Sequence, residues 1–219
     1  MIYTSRSKYQ QGLDCRQARN WAYEWDGSGL ELEAVRVPLA VGTAVHELSA
    51  AIQTGDLEAA TARGKAEFIS EATSRGLLAE PDAIVESLME EQWALAEALM
   101  RGWWRVRRTD FLRDFEVVDT EQESVVELAE DVSLQTRSDM VVRRLTDGAL
   151  FVWSWKTTGM IDNDWQTKWD HDLQRVTEIL GDEARLGQEI TGVVVEGLYK
   201  GRKVPKDKRA KRSVYGEFG

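Results

Sequence analysis

Two runs of strand-forming residues, Ser138 to Arg144 and Ala149 to Thr158, flank the turn signal Asp147-Gly148. The hairpin they predict sets Asp139 at the start of one strand and Lys156 at the far end of the next. An aspartate can ligate a divalent cation. A lysine beside that ion can stabilise negative charge developing on a phosphate, or help to orient or deprotonate water. The plain alternative is a surface ion pair, worth under about 1 kcal/mol. A second acid two residues before the lysine would complete an oxygen-rich site, but that position is Ser154.

The remaining ligand types are scarce. His46 and His171 are the two histidines, and Cys15 is the single cysteine. A disulfide within the chain is excluded, and so is a zinc site or iron-sulfur cluster built from several thiolates. A bound metal would lean on oxygen ligands, which favours magnesium, manganese or calcium over zinc. Cys15 reads as a small buried apolar residue. His46 falls in Gly42-Thr43-Ala44-Val45-His46-Glu47, near the first turn of a predicted helix and after a glycine that would let backbones approach closely. A lone histidine is more often a satisfied structural residue than a ligand, so His46 gains weight only as part of a set.

These residues must be positioned by a chain of 219 residues, 42% of them hydrophobic, which suffices to bury the core of one domain. No run reaches the roughly 18 consecutive apolar residues of a membrane span. The start, Met1-Ile2-Tyr3-Thr4-Ser5-Arg6, has no signal pattern, so a cytoplasmic location without a membrane partner is expected. The net charge of −10 argues against binding phosphate backbones. Its distribution softens that objection: Lys200 to Arg212 holds eight bases and one acid, giving +7 there and −17 elsewhere. Such a run either contacts nucleic acid or is a solvated tail.

Helical patterns predominate up to Arg108. A capped helix is expected from Thr4-Ser5-Arg6-Ser7 through Trp25, with Leu13, Ala18, Trp21 and Ala22 on its apolar stripe. A second begins between Pro38 and Thr43 and carries Ala44, Val45, Leu48, Ala51 and Ile52 at helical spacing. Others span Asp56 to Arg75 and Pro81 to about Arg108. After Asp110 the pattern turns to strands: Phe111 to Val118, Ser124 to Leu128, Ser133 to Arg144 and Ala149 to Lys156, forming a mostly antiparallel meander. Asp170 to Leu186 returns to helix with Leu173, Val176 and Leu180 on one face, and Ile190 to Leu198 is a valine-rich strand. The order predicts an α/β or α+β core behind a helical front portion. Among nine tryptophans, Trp153 and Trp155 share a strand face and read as core. Trp165 and Trp169, four apart and flanked by Lys168, are the better candidates for stacking on bases.

Taken in order, these elements resemble the PD-(D/E)xK nuclease superfamily, and within it the RecB-type branch found in phage exonucleases and CRISPR-associated nucleases. Ser5-x-Ser7 with Cys15-Arg16 resembles the family's first helix, and Gly42 to His46 is similar to its glycine-x-x-x-histidine element. Arg137-Ser138-Asp139-Met140 resembles the glycine-x-isoleucine-aspartate motif. Phe151 to Thr157 resembles the acid-x-lysine-threonine motif, and Gln174 falls where the family has a glutamine on the following helix. The sequence departs from the family at Ser154 for the second acid, Arg16 for a proline and Glu178 for a tyrosine.

The resemblance implies a restriction-endonuclease-like fold, a mixed central sheet flanked by helices, in a single nuclease-like domain over 1–219. Its helical portion, 1–109, would carry His46; its sheet core, 110–199, would carry Asp139 and Lys156; and 200–219 would be a basic segment. Because the family usually continues past its valine-rich strand, the end at Gly219 reads as a truncation. The implied activity is exonucleolytic hydrolysis of DNA phosphodiesters, with Mg²⁺ or Mn²⁺ and no iron-sulfur cluster. His46, Asp139 and the Trp155 carbonyl would hold the ion, with Glu116 or Glu178 as acids that could substitute for the missing one. Lys156 would stabilise the transition state and Gln174 would orient the lysine or the phosphate. Lys168, Lys200, Arg202, Lys203 and Lys206 would hold DNA, with a phage or recombination protein as a further partner. A hydroxyl at Ser154 brings less negative charge to a +2 ion than a carboxylate would. Three cases stay open: a nuclease with a relocated acid, an inactive homologue that still binds DNA or a protein, and a variant made to trap a complex. A structural protein without a site is a further alternative.

Overall fold

A computed structural model describes residues 2–5, 8, 10–11, 13, 15–24, 37–74 and 83–201. It is a mixed α/β protein. The chain divides into two compact units, one formed by residues 1–35, 115–154 and 171–194, the other by 36–114, 155–170 and 195–219. No helix among the described residues is long and apolar enough to cross a membrane.

The first unit opens on strand β1 (Ile2–Ser5) and helix α1 (Arg16–Tyr23). Here the sequence expectation is corrected: Thr4 and Ser5 do not start a helix but pair in parallel with β4 (Val132–Arg137). The helix cap is Cys15, whose sulfur accepts from the Ala18 N–H at 3.5 Å. Cys15 is accordingly exposed, not buried. β3 (Glu123–Ala129) pairs antiparallel with β4, completing a mixed three-stranded sheet in the order β1-β4-β3. The second sheet has the order β2-β5-β6-β7, from β2 (Phe115–Thr120), β5 (Met140–Arg144), β6 (Leu150–Thr158) and β7 (Ile190–Tyr199). The predicted single strand from Ser133 to Arg144 is thus two strands in two sheets. The chain leaves one sheet at Arg137 and enters the other at Met140, and Asp139 sits at that crossing.

Val141, Leu150, Val152 and Ile190 form the apolar core of this unit, with Val118, Ile179, Leu186 and Val193 packed on it. Helix α7 (Leu173–Leu186) lies on β3 and β4. The expected apolar face of α7 is not the buried one: Val176 and Leu180 are 53% and 41% exposed, while Glu178, Gly181 and Asp182 are buried. Two features select that face. Gly181 permits close approach, since a Cβ there would lie 2.2 Å from Thr136 Cγ2. Arg185 binds both Asp182 and Asp119, so the buried carboxylate of Asp182 is ion-paired. The apolar period was a poor guide where an ion network and a glycine contact decided the packing.

The second unit holds helices α2 (Val37–Thr54), α3 (Leu57–Ser74), α4 (Ala83–Val106) and α5 (Arg108–Asp114), then α6 (Asn163–Thr167) and a 3-10 turn at Lys168–His171. α2 packs on α3 and α4, and its predicted stripe, Ala44, Val45, Leu48, Ala51 and Ile52, is buried. Gly42 contributes no close approach, because a Cβ there would meet nothing within 4 Å. That role belongs to Gly64 of α3, where a Cβ would lie 3.0 Å from the Ala44 carbonyl oxygen. Phe111 to Asp114, expected as strand, closes α5 instead, and β2 starts at Phe115.

Candidate metal centre

Asp139 owes its place to strand order. β5 lies between β2 and β6, so the residue just before β5 has a neighbour on each side. On one side the register Met140↔Trp153 puts Ser154 across from it, and the Ser154 hydroxyl donates to Asp139 Oδ2 at 3.1 Å. On the other side Thr120↔Met140 puts Glu121 across from it, and the Glu121 N–H donates to the Asp139 carbonyl at 3.1 Å. Asp139 is 5% exposed and Ser154 2%. An exposed surface pair between Asp139 and Lys156 is therefore not what the aspartate forms. A buried carboxylate needs hydrogen bonds or cations to remain charged, which makes this position chemically specific.

Glu121 was not anticipated. It follows β2 with φ 52°, the one non-glycine residue with positive φ among those described. Its carboxylate also meets Arg137, with Nε 3.3 Å from Oε2. Sequence could have pointed to it only through the β2–β5 register. That register is hidden because the β3–β4 hairpin is inserted between the two strands.

His46 lies well inside α2, with more than two turns before it, not at the helix start. Three residues on, Ser49 accepts a hydrogen bond from Trp155 Nε1 at 2.7 Å, and both are buried. Residues three apart share a helix face, so His46 and Ser49 point the same way. Trp155 also packs edge-to-face on Trp103, with ring centroids 5.0 Å apart. Trp153, likewise buried, packs on Phe115 at 5.4 Å, so both tryptophans of β6 are core as read from the sequence.

Within the first unit Glu121 and Asp139 stand side by side, two carboxylates that could share a metal ion, while His46 belongs to the second unit. No protein-family model and no curated protein matches the chain.

The donor set suits a divalent cation. Two carboxylates supply two negative charges and oxygen ligand atoms, leaving further positions for water or substrate oxygens. The other acids nominated from the sequence are engaged elsewhere. Glu116 pairs with Arg143 at 3.0 Å, opposite the far end of β5 from Asp139. Glu178 is 1% exposed and accepts a hydrogen bond from the Gln174 amide, so two residues nominated separately from the sequence bind each other. Lys156 is partly buried on β6, two residues beyond Ser154.

The nominated DNA contacts divide. Lys168 is exposed, its Nζ 4.2 Å from the Trp169 ring centroid and 5.6 Å from that of Trp165. Lys200 is partly buried, and desolvation depresses its pKa below the ordinary lysine value. Arg202, Lys203 and Lys206, with the rest of the basic run, lie outside the described residues. Of the two stacking candidates, Trp169 is buried and Trp165 half-buried, so only Trp165 retains ring surface for a ligand.

Proposed function

We propose that the chain is a divalent-metal-dependent DNA nuclease with a restriction-endonuclease-like core, acting as an exonuclease with Mg²⁺ or Mn²⁺. The observation that supports it is the pair of carboxylates, Glu121 and Asp139, set side by side at the start of the strand that opens the Asp139 to Lys156 hairpin, with the Ser154 hydroxyl on Asp139. When bound, a divalent cation would lower the pKa of water and neutralise phosphate charge. Asp139 and Glu121 would supply anionic oxygens, and His46 is the nitrogen ligand that the sequence resemblance implies. Ser154 and Lys156 are two apart on β6 and so share a face, the face from which Ser154 reaches Asp139. In this reading Lys156 would stabilise the negative charge that grows on a phosphate oxygen during attack. Gln174, whose amide is bonded to Glu178, would orient the lysine or the phosphate on leaving that partner. Lys168 and the basic run from Lys200 contact the DNA backbone.

Ser154 favours a second reading, a nuclease-fold module that binds DNA or a protein without cutting. Labelled single- and double-stranded DNA incubated with Mn²⁺ separates the two. Cleavage by the natural chain is expected, falling by about two orders of magnitude or more in Asp139→Asn and Lys156→Ala. If neither the natural chain nor Ser154→Asp cuts while both are folded, the enzymatic reading is wrong, and DNA retained in a binding assay moves the assignment to the second.

A further inference from the structure

We infer that Glu121 supplies the carboxylate that the acid-x-lysine pattern lacks at Ser154, so that the serine marks a charge moved to the other neighbouring strand and not a charge lost. The inference rests on the metal-dependent reading above.

The argument is one of sheet geometry. Asp139 has one lateral neighbour from the β6 side and one from the β2 side, and directly opposed residues on adjacent strands sit with Cβ atoms about 5 Å apart. An acid at position 154 would lie beside Asp139 from β6. Glu121 lies beside it from β2, fixed by the Thr120↔Met140 pairing and by its own N–H bond to the Asp139 carbonyl. Either place delivers a second carboxylate to the same aspartate, and the exchange leaves the charge of the pair unchanged.

Two further observations agree. A glutamate in the left-handed backbone region is unfavourable where glycine or asparagine would be at ease, and such residues persist at functional sites because the side chain is needed. The hydroxyl now at 154 is also not idle. It donates to Asp139 Oδ2, a bond that a carboxylate in its place could not make without itself holding a proton. With the acid on β2, the serine can serve as a positioning residue that orients Asp139 toward the ion. Arg137, 3.3 Å from Glu121, holds that carboxylate's charge in check without burying it, since its own side chain is 59% exposed.

Mn²⁺ binding to the full chain tests the exchange, read by electron paramagnetic resonance of the free ion and by calorimetry, for the natural chain, Glu121→Gln, Ser154→Asp and the double variant. Removing a ligand should cost at least what losing a supporting residue costs, so Glu121→Gln is expected to weaken Mn²⁺ by about tenfold or more. Ser154→Asp added to Glu121→Gln is expected to recover most of that loss, because the carboxylate returns from the opposite strand. Unchanged Mn²⁺ affinity in a folded Glu121→Gln overturns the inference, as does a loss that Ser154→Asp does not recover at all. The nuclease reading fails separately. A chain that cuts no DNA but binds Mn²⁺ in a Glu121-dependent way keeps the relocated acid and loses the activity, while one that cuts DNA with Mn²⁺ affinity indifferent to Glu121 does the reverse.

Discussion

The Ser154 hydroxyl donates to Oδ2 of Asp139 at 3.1 Å, and both side chains are buried. A buried carboxylate depends on such donors, so Ser154→Ala is expected to lower stability by about 1–3 kcal/mol in urea unfolding. Ser154→Asp should behave differently. It sets a second acid against Asp139, which lowers the melting temperature without metal through like-charge repulsion, and Mn²⁺ should then raise it by more than in the natural chain. A melting temperature of Ser154→Asp that Mn²⁺ leaves unmoved would contradict a cation at this position.

Gly181 of α7 lies against Thr136 of β4, and Gly181→Ala would drive a Cβ to 2.2 Å from the Thr136 methyl. The helix cannot yield freely, because Asp182 and Arg185 tie the next turn to Asp119. The expected loss is about 1–3 kcal/mol, in the range of overpacked sites. Thr136→Ser removes the clashing methyl and should restore much of it. Additive losses in the double variant would mean that the two positions are not in contact.

The hairpin turn predicts an acid limb in the stability profile. The Asp147 carboxyl is held below its ordinary pKa, first by the hydrogen bond from the Arg144 guanidinium and then by the Ala149 N–H. A group whose folded pKa is depressed binds its proton more weakly in the native state than in the unfolded chain. Its contribution is therefore complete above the unfolded value of about 4 and disappears as pH falls through the folded one. Asp147→Asn should flatten part of the fall in stability below about pH 4 and leave the profile near pH 7 with the same slope. An unchanged acid limb would show that the pair survives protonation or never forms in solution.

Much of this was legible from local pattern. The buried stripe of α2, the Asp147-Gly148 turn and the β5–β6 hairpin follow from periodicity and turn chemistry, which act within a few residues. What escaped is non-local. The break at Ser138-Asp139 between two sheets, the partnership of β1 with β4 over more than a hundred residues, and the position of Glu121 opposite Asp139 are set by strand order. No stretch of sequence encodes that order alone. The wrong face of α7 has another cause, since burying Asp182 is tolerable only because Arg185 and Asp119 are arranged around it. Asp139 and Lys156 could be nominated because they bracket a local hairpin. Glu121 could not, with β3 and β4 intervening.

Trp165 provides the remaining test, of the proposed nucleic-acid contact. Its ring lies on the backbone of β7, where a Cβ at Gly197 would come within 2.6 Å of it, and it meets Trp169 edge-on with centroids 5.5 Å apart. Lys168 rides over both rings, and Asp162 caps α6 by accepting from the Trp165 N–H at 2.8 Å. Gly197→Ala must displace the ring, and the overpacking should lower stability by about 1–3 kcal/mol with a change in near-ultraviolet circular dichroism. Trp165→Ala removes the ring from a half-exposed place, so it should disturb the fold less than Trp169→Ala, which empties a buried one. If bases stack on Trp165, its loss should weaken binding of a labelled thymidine oligonucleotide in EDTA by about 5-fold to 100-fold, with Trp165→Tyr retaining most of the affinity. Lys168→Ala should also lessen the salt dependence of that binding, because one phosphate contact fewer releases fewer counterions. Oligonucleotide affinity indifferent to Trp165 and Lys168 would leave the pair as packing for β7 and remove the proposed stacking contact.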